Sequence, residues 1–151
     1  MSNLDPANAA RQSRMSLLAK SEPSRLAVLF SAVPDVPAHT WLRTPEIGAV
    51  MVRGRMGGTG APFNLGEMSV TRCALTLSTG EVGHAYVQGR DKEHATRAAL
   101  VDALMQTVRA DEVQAVVLDP LGAEMLATAR ARSAKAAATK VEFFTMVRGE
   151  D

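Results

Sequence analysis

The chain has 151 residues, 46% apolar but only 4% aromatic, and its 17 Lys and Arg against 16 Asp and Glu leave a net charge of +1. A chain of this length suits one domain, buries about 68–70% of its unfolded surface, and is too evenly charged for a general nucleic-acid binder. The single cysteine, Cys73, excludes an internal disulfide or an all-cysteine metal site; with no membrane-length apolar run and no secretion signal, a soluble cytoplasmic protein is expected.

Residues 1–10 read as a flexible N-terminus ahead of one domain over 11–149. A helix is expected from Ala9 to Lys20, with Met15, Leu18 and Ala19 on its apolar side. Ser21-Glu22-Pro23 reads as a stop and restart, with Ser21 able to cap and proline suited to a first helical turn. Leu26, Leu29 and Phe30 give the second helix, over 22–32, one apolar face, and Pro34 and Pro37 end it.

Strands are expected at 48–55, 68–78 and 81–88. In the second, Thr71, Cys73, Leu75 and Leu77 share one face by alternation, opposite Arg72, Ala74 and Thr76. The Ser78-Thr79-Gly80 connection makes the last two strands a hairpin. Asp91 caps a helix expected to reach about Arg109, with Ala98, Val101, Met105 and Val108 as its buried stripe. Residues 113–118 fit either a strand or a helix end. Asp119-Pro120 reads as a fresh helix start running to about Ala138. Val141–Val147 reads as a closing strand, apolar on both faces if Phe143 and Phe144 point oppositely, hence central or covered by a partner. The pattern is α+β: a mostly antiparallel sheet, an N-terminal helix pair and two longer helices.

The strongest local signal is Arg53-Gly-Arg55-Met-Gly57-Gly58-Thr59-Gly60, with four glycines in the window 54–60. Glycines let the backbone approach a ligand, and flanking arginines favour an anion. The bland alternative is a tight strand-to-strand loop that needs positive φ. No P-loop or dinucleotide fingerprint follows. Arg72 and Arg90 lie near strand ends or faces that would let them converge with Arg55 and the 57–60 loop on one anion- or partner-binding surface. Gly89-Arg90-Asp91 also reads as a plain strand-to-helix turn. His39, His84 and His94 match no metal-ligand spacing. Cys73 falls on an apolar strand face, where a thiol is inert, and no nucleophile elbow is present. These residues give no catalytic set and no metal site.

Several longer runs point further: Arg55-Met-Gly-Gly-Thr-Gly60, Gly66, Thr71-Arg72, Val87-Gln-Gly-Arg-Asp-Lys92 with His94, and Ala99-Leu100. Asp102-Ala-Leu-Met-Gln106, Phe143-Phe-Thr-Met-Val-Arg-Gly149, and Arg11-Gln12, Met15-Ser16 and Leu18-Ala19 at the front complete the set. From about residue 11 to 149 the chain resembles the PhnG family, the G subunits of the bacterial carbon–phosphorus lyase system for phosphonate use. The resemblance implies an accessory subunit of a multisubunit transferase, dimeric within its complex. Its partners would be the H, I and J subunits and ATP-binding-cassette-type ATPases. The complex replaces the adenine of ATP with a phosphonate, giving a ribose 1-phosphonate 5-triphosphate, so ATP and phosphonate are substrates and this chain carries no cofactor. Nucleosidase-type chemistry belongs to the I subunit and C–P cleavage to the iron–sulfur J subunit. Phe143, Phe144, Met146 and Arg148 are the expected subunit-interface residues. The alternative reading uses the first two helices, with Arg11, Arg14, Lys20 and Arg25, as a helix-turn-helix nucleic-acid regulator.

Overall fold

A computed structural model describes residues 5–139. The first helix, α1 (Pro6–Lys20), starts ahead of the expected Ala9 and inside the stretch read as a flexible lead-in. The Asp5 carboxylate accepts the Ala7 N–H at 3.3 Å, and Pro6 fits the first turn, where its missing donor costs nothing. Ser21 and Glu22 are extended ahead of Pro23, a conformation proline favours in the residue before it, and α2 (Pro23–Phe30) follows. Ser21 does not cap α2: its hydroxyl donates back to the Leu18 carbonyl at 2.8 Å.

Three strands, β1 (His39–Arg55), β2 (Pro62–Leu77) and β3 (Val82–Gln88), form an antiparallel sheet in the order β1-β2-β3. Thr71, Cys73, Leu75 and Leu77 of β2 are buried on one face, as the alternation predicts, with Gly83, Ala85 and Val87 beside them on β3. Gly80, at φ 107°, closes the β2–β3 connection. β1 and β2 are far longer than the segments 48–55 and 68–78. Among the described residues the last three-stranded rung is Gly48–Val70–Gln88, and past it β1 and β2 continue as a two-stranded ribbon to the Arg55–Pro62 pair. None of the residues from Ala49 to Ser69 is buried.

Helix α3 (Lys92–Leu104) lies on the buried sheet face and presents Ala95, Ala98, Ala99 and Ala103 to it. The approach is close: a Cβ at Gly83 would stand 2.0 Å from the Ala99 carbonyl oxygen. Only glycine in β3 and alanine in α3 allow it. The helix ends at Leu104 rather than near Arg109. Thr107 donates its hydroxyl to the Leu104 carbonyl and accepts the Arg109 N–H, which completes a turn and stops propagation. Val108 therefore leaves the expected buried stripe and is fully exposed, while Met105 is half-buried.

The chain re-enters helix at α4 (Ala110–Val113), passes through a π-helical turn (Gln114–Leu118), and continues as α5 (Asp119–Ala138). This settles 113–118 as helical and corrects the reading of Asp119-Pro120 as a fresh start. A mid-helix proline cannot donate to the turn before it, and the wider π turn lies where that bond is lost. Val113, Val117, Leu118 and Leu121 complete the core with Leu18, Leu26, Leu75, Val101 and Leu104. Among the described residues none after Leu121 is buried, and from Leu126 onward α5 is exposed all round. The fold is α+β, with helices on one sheet face and two projections: the β1–β2 ribbon and the α5 arm. The expected strand Val141–Val147 lies outside the described residues.

Candidate functional site

The glycine-rich stretch forms the tip of the ribbon. Gly57 and Gly58 take φ of 58° and 80°, conformations glycine adopts without strain. The Gly60 N–H donates to the Met56 carbonyl at 2.8 Å, and Arg55 Nη1 donates to the Gly60 carbonyl at 3.1 Å. Arg55 thus folds back on its own loop, and the positive φ values are what a tight hairpin end demands. Thr59 is exposed beside them.

Arg72 sits elsewhere. On the outer sheet face its Nε donates to Glu46 Oε1 at 2.6 Å, and Arg43 Nη1 donates to the same oxygen at 2.6 Å. The two guanidiniums, Arg43 foremost, hold the Glu46 carboxyl below its ordinary range. Arg72 faces Glu46 across the β1–β2 ladder while Arg55 faces Pro62 at the tip. Nine strand residues, roughly 30 Å at ~3.3 Å each, separate the two. Arg90 is exposed in the turn before α3, where Asp91 Oδ1 accepts the His94 N–H at 2.9 Å. The structure does not bring Arg55, the 57–60 loop, Arg72 and Arg90 onto one surface. The expected convergence is corrected, because the hairpin is far longer than the segments first read as strands. Phe143, Phe144, Met146 and Arg148 lie outside the described residues.

Sequence reasoning missed the main polar cluster, which lies between α1, α3 and β3. The Asp102 carboxylate, 1% exposed, takes two hydrogen bonds from Arg11, at 3.0 Å from Nε and 2.7 Å from Nη2. It also accepts the backbone N–H of His84 at 3.0 Å. The Val82 carbonyl accepts from Arg11 Nη2 at 3.2 Å and from Gln106 Nε2 at 2.7 Å. These side chains satisfy part of the outward edge of β3, which would otherwise offer unpaired backbone groups. The sequence signal was an aspartate among the apolar residues of α3, with Gln106 one turn on.

His94 is buried. Its Nε2 lies 2.9 Å from the Leu18 carbonyl and 3.2 Å from Ser21 Oγ, while Nδ1 has no partner. Burial depresses its pKa. Cys73 Sγ donates to the Ala95 carbonyl at 3.3 Å, and burial pushes the thiol up to about 11. His84 is exposed on the outer sheet face, and His39 stacks edge-on to Trp41 at 5.0 Å. Arg25 makes a two-point pair with Glu124 at 2.7 and 2.6 Å, joining α2 to α5 beside an open cleft of about 490 Å³. With Arg11 and Arg25 both turned to carboxylates of their own chain, the helix-turn-helix reading loses two of its four proposed phosphate contacts.

The ionisable groups whose protonation is shifted are therefore engaged in holding elements together. The family model of phosphonate metabolism protein PhnG matches residues 9–149. The chain belongs to the PhnG family. A PhnG relative, the alpha-D-ribose 1-methylphosphonate 5-triphosphate synthase subunit PhnG of Rhizobium meliloti (strain 1021), is 44% identical over 147 residues. The match spans 97% of this chain and 94% of that relative. The PhnG match covers the Arg11–Asp102 tie, the ribbon and the α5 arm alike. Among the described residues, no helix is long and apolar enough to cross a membrane.

Proposed function

We propose that this chain is an accessory, structural subunit of an enzyme complex that displaces adenine from ATP by a phosphonate, giving ribose 1-phosphonate 5-triphosphate. The observation that carries this reading is the near full-length identity to a named subunit of such a synthase. The physical picture agrees with it. Asp102, His94 and Cys73 are buried in packing roles, and among the described residues both projections leave the body without a further layer against them. The catalytic groups belong to another subunit, ATP and the phosphonate are substrates of the complex, and this chain contributes no cofactor. The H, I and J subunits, with ATP-binding-cassette-type ATPases, are the proposed partners in the cytoplasm, and two copies of this chain occupy each complex. Phe143, Phe144, Met146 and Arg148 are proposed contacts with those partners. The ribbon tip, Arg55 with Gly57–Gly60, is a further one, and Arg72 and Arg90 are separate polar points rather than parts of one anion site.

The test is co-expression with the H, I and J subunits, followed by an adenine-release assay with and without this chain. Release that requires the chain, with none from the chain alone, is expected. Release by the purified chain alone would overturn the assignment.

A further inference from the structure

The geometry points to a binding site on the outer sheet face for a small oxyanion that carries an apolar group, with the Arg72 guanidinium as its anchor. The site follows from strand register and does not depend on the accessory-subunit reading. Glu46 pairs with Arg72 and Arg72 with Tyr86, so these three side chains make one tall rung across the sheet. The next rung is Gly48–Val70–Gln88, where glycine gives β1 no side chain, and beyond it Val50 pairs with Met68. The step between them leaves a hollow of about 250 Å³, lined by Glu46, Arg72, Tyr86 and Val50 around Gly48 and Val70. A Cβ at Gly48 would meet nothing within 4 Å, so this space is open rather than packed.

Charge and donors select the ligand. Arg43 and Arg72 both donate to one oxygen of Glu46, so two guanidiniums share one carboxylate and one positive charge is left over. The same two arginines hold the Glu46 carboxyl below its ordinary range, which keeps it charged and the guanidiniums in place. Arg72 spends its Nε on Glu46; among the described residues its two Nη groups have no acceptor. That outer edge is the two-donor fork that a phosphate, phosphonate or carboxylate accepts side by side. The Arg72 side chain is 53% exposed and Tyr86 46%, so a ligand reaches both. Glu67, the other acid in the three strands, alternates onto the opposite face from Arg72 and does not compete. Val70, Val50 and the Tyr86 ring give the hollow an apolar side, so an oxyanion bearing hydrocarbon gains more there than a bare one.

The test titrates the isotope-labelled full chain with propylphosphonate, and separately with inorganic phosphate and with propanol as its two halves. Backbone amide NMR shifts at Gly48, Val70 and Arg72 are the readout. Saturable shifts there with propylphosphonate, at several-fold lower concentration than with either half, are expected. Arg72→Gln should weaken binding about tenfold or more. Gly48→Val fills the hollow with a residue that strands favour and should abolish binding without lowering the melting temperature. That variant leaves Arg43, Glu46 and Arg72 untouched, so its loss reports the hollow itself and not a loosened β1 edge. Arg90→Gln, which removes an exposed guanidinium elsewhere, should bind like the parent. No saturable shift at millimolar propylphosphonate, equal affinity for inorganic phosphate, or parent-like binding by Gly48→Val overturns the proposal. So does an equal loss in Arg90→Gln and Arg72→Gln, which would mean attraction to net charge alone. In each of these cases the accessory-subunit reading stands, because adenine release tests it separately.

Discussion

Arg11 and Asp102 lie 91 residues apart and meet in a two-point ion pair, with Nη2–Oδ2 at 2.7 Å. The Asp102 side chain is wholly buried and that of Arg11 is 31% exposed, so the pair seals the seam between α1 and α3. Hydrogen bonding to Asp102 raises the Arg11 pKa above its already high ordinary value, so the guanidinium stays charged across the working range.

Removing one partner strands the other. Arg11→Ala leaves a buried carboxylate holding only a backbone N–H, and a loss of about 3 kcal/mol is expected. Replacing both residues with apolar ones should cost less than the sum of the single changes. Urea unfolding of the four species checks this; additive losses would show that the pair is not coupled.

His94 should make the fold acid-sensitive. Burial depresses its folded pKa, whereas the unfolded chain takes up the proton near the ordinary 6.5. Between those two values the unfolded state binds the extra proton. The contribution is therefore fully present above about 6.5 and is lost as pH falls through the window down to the folded pKa. Unfolding midpoints from pH 8 to pH 5 should fall in the parent and fall less in His94→Gln. Parallel curves would assign the acid sensitivity to other groups.

Cys73 should resist alkylation in the native protein. With its thiol at about 11 and its side chain buried, little thiolate is available near neutral pH. Iodoacetamide at pH 8 should leave the native chain unmodified and label it fully in denaturant, as read by intact mass. Rapid native labelling would mean that α3 lifts from the sheet.

Two glycine substitutions should separate close packing from backbone freedom. Gly83→Ala drives a methyl into the Ala99 carbonyl and should cost upwards of about 2 kcal/mol. Gly57→Ala meets no atom and is opposed only by its positive φ, a cost of about 1 kcal/mol. Thermal melting orders the two, and the reverse order would contradict the α3–β3 contact.

Much of the body was legible in the chain because its signals are local. Alternation in Thr71-Cys73-Leu75-Leu77 places one β2 face inward, Asp91 caps α3, and Gly80 closes the β2–β3 turn. Local signals failed where one segment's conformation depends on another. Asp119-Pro120 carries every mark of a helix start, yet the π turn before it absorbs the proline and the helix runs through. Ser21 resembles a cap, but its hydroxyl and the Leu18 carbonyl beside it meet His94 from α3.

The sequence by itself determined the α+β class, the helix pair, the buried thiol and, through its long matching runs, membership of the PhnG family. Each is written in periodicity or in contiguous residues. Only the tertiary structure decided that Arg55 and Arg72 stand far apart, that Arg11 serves Asp102, and that the ribbon and the α5 arm project from the body. Those outcomes depend on strand register and on helix packing across scores of residues. Neither short-range propensity nor residue spacing along the chain encodes such distances.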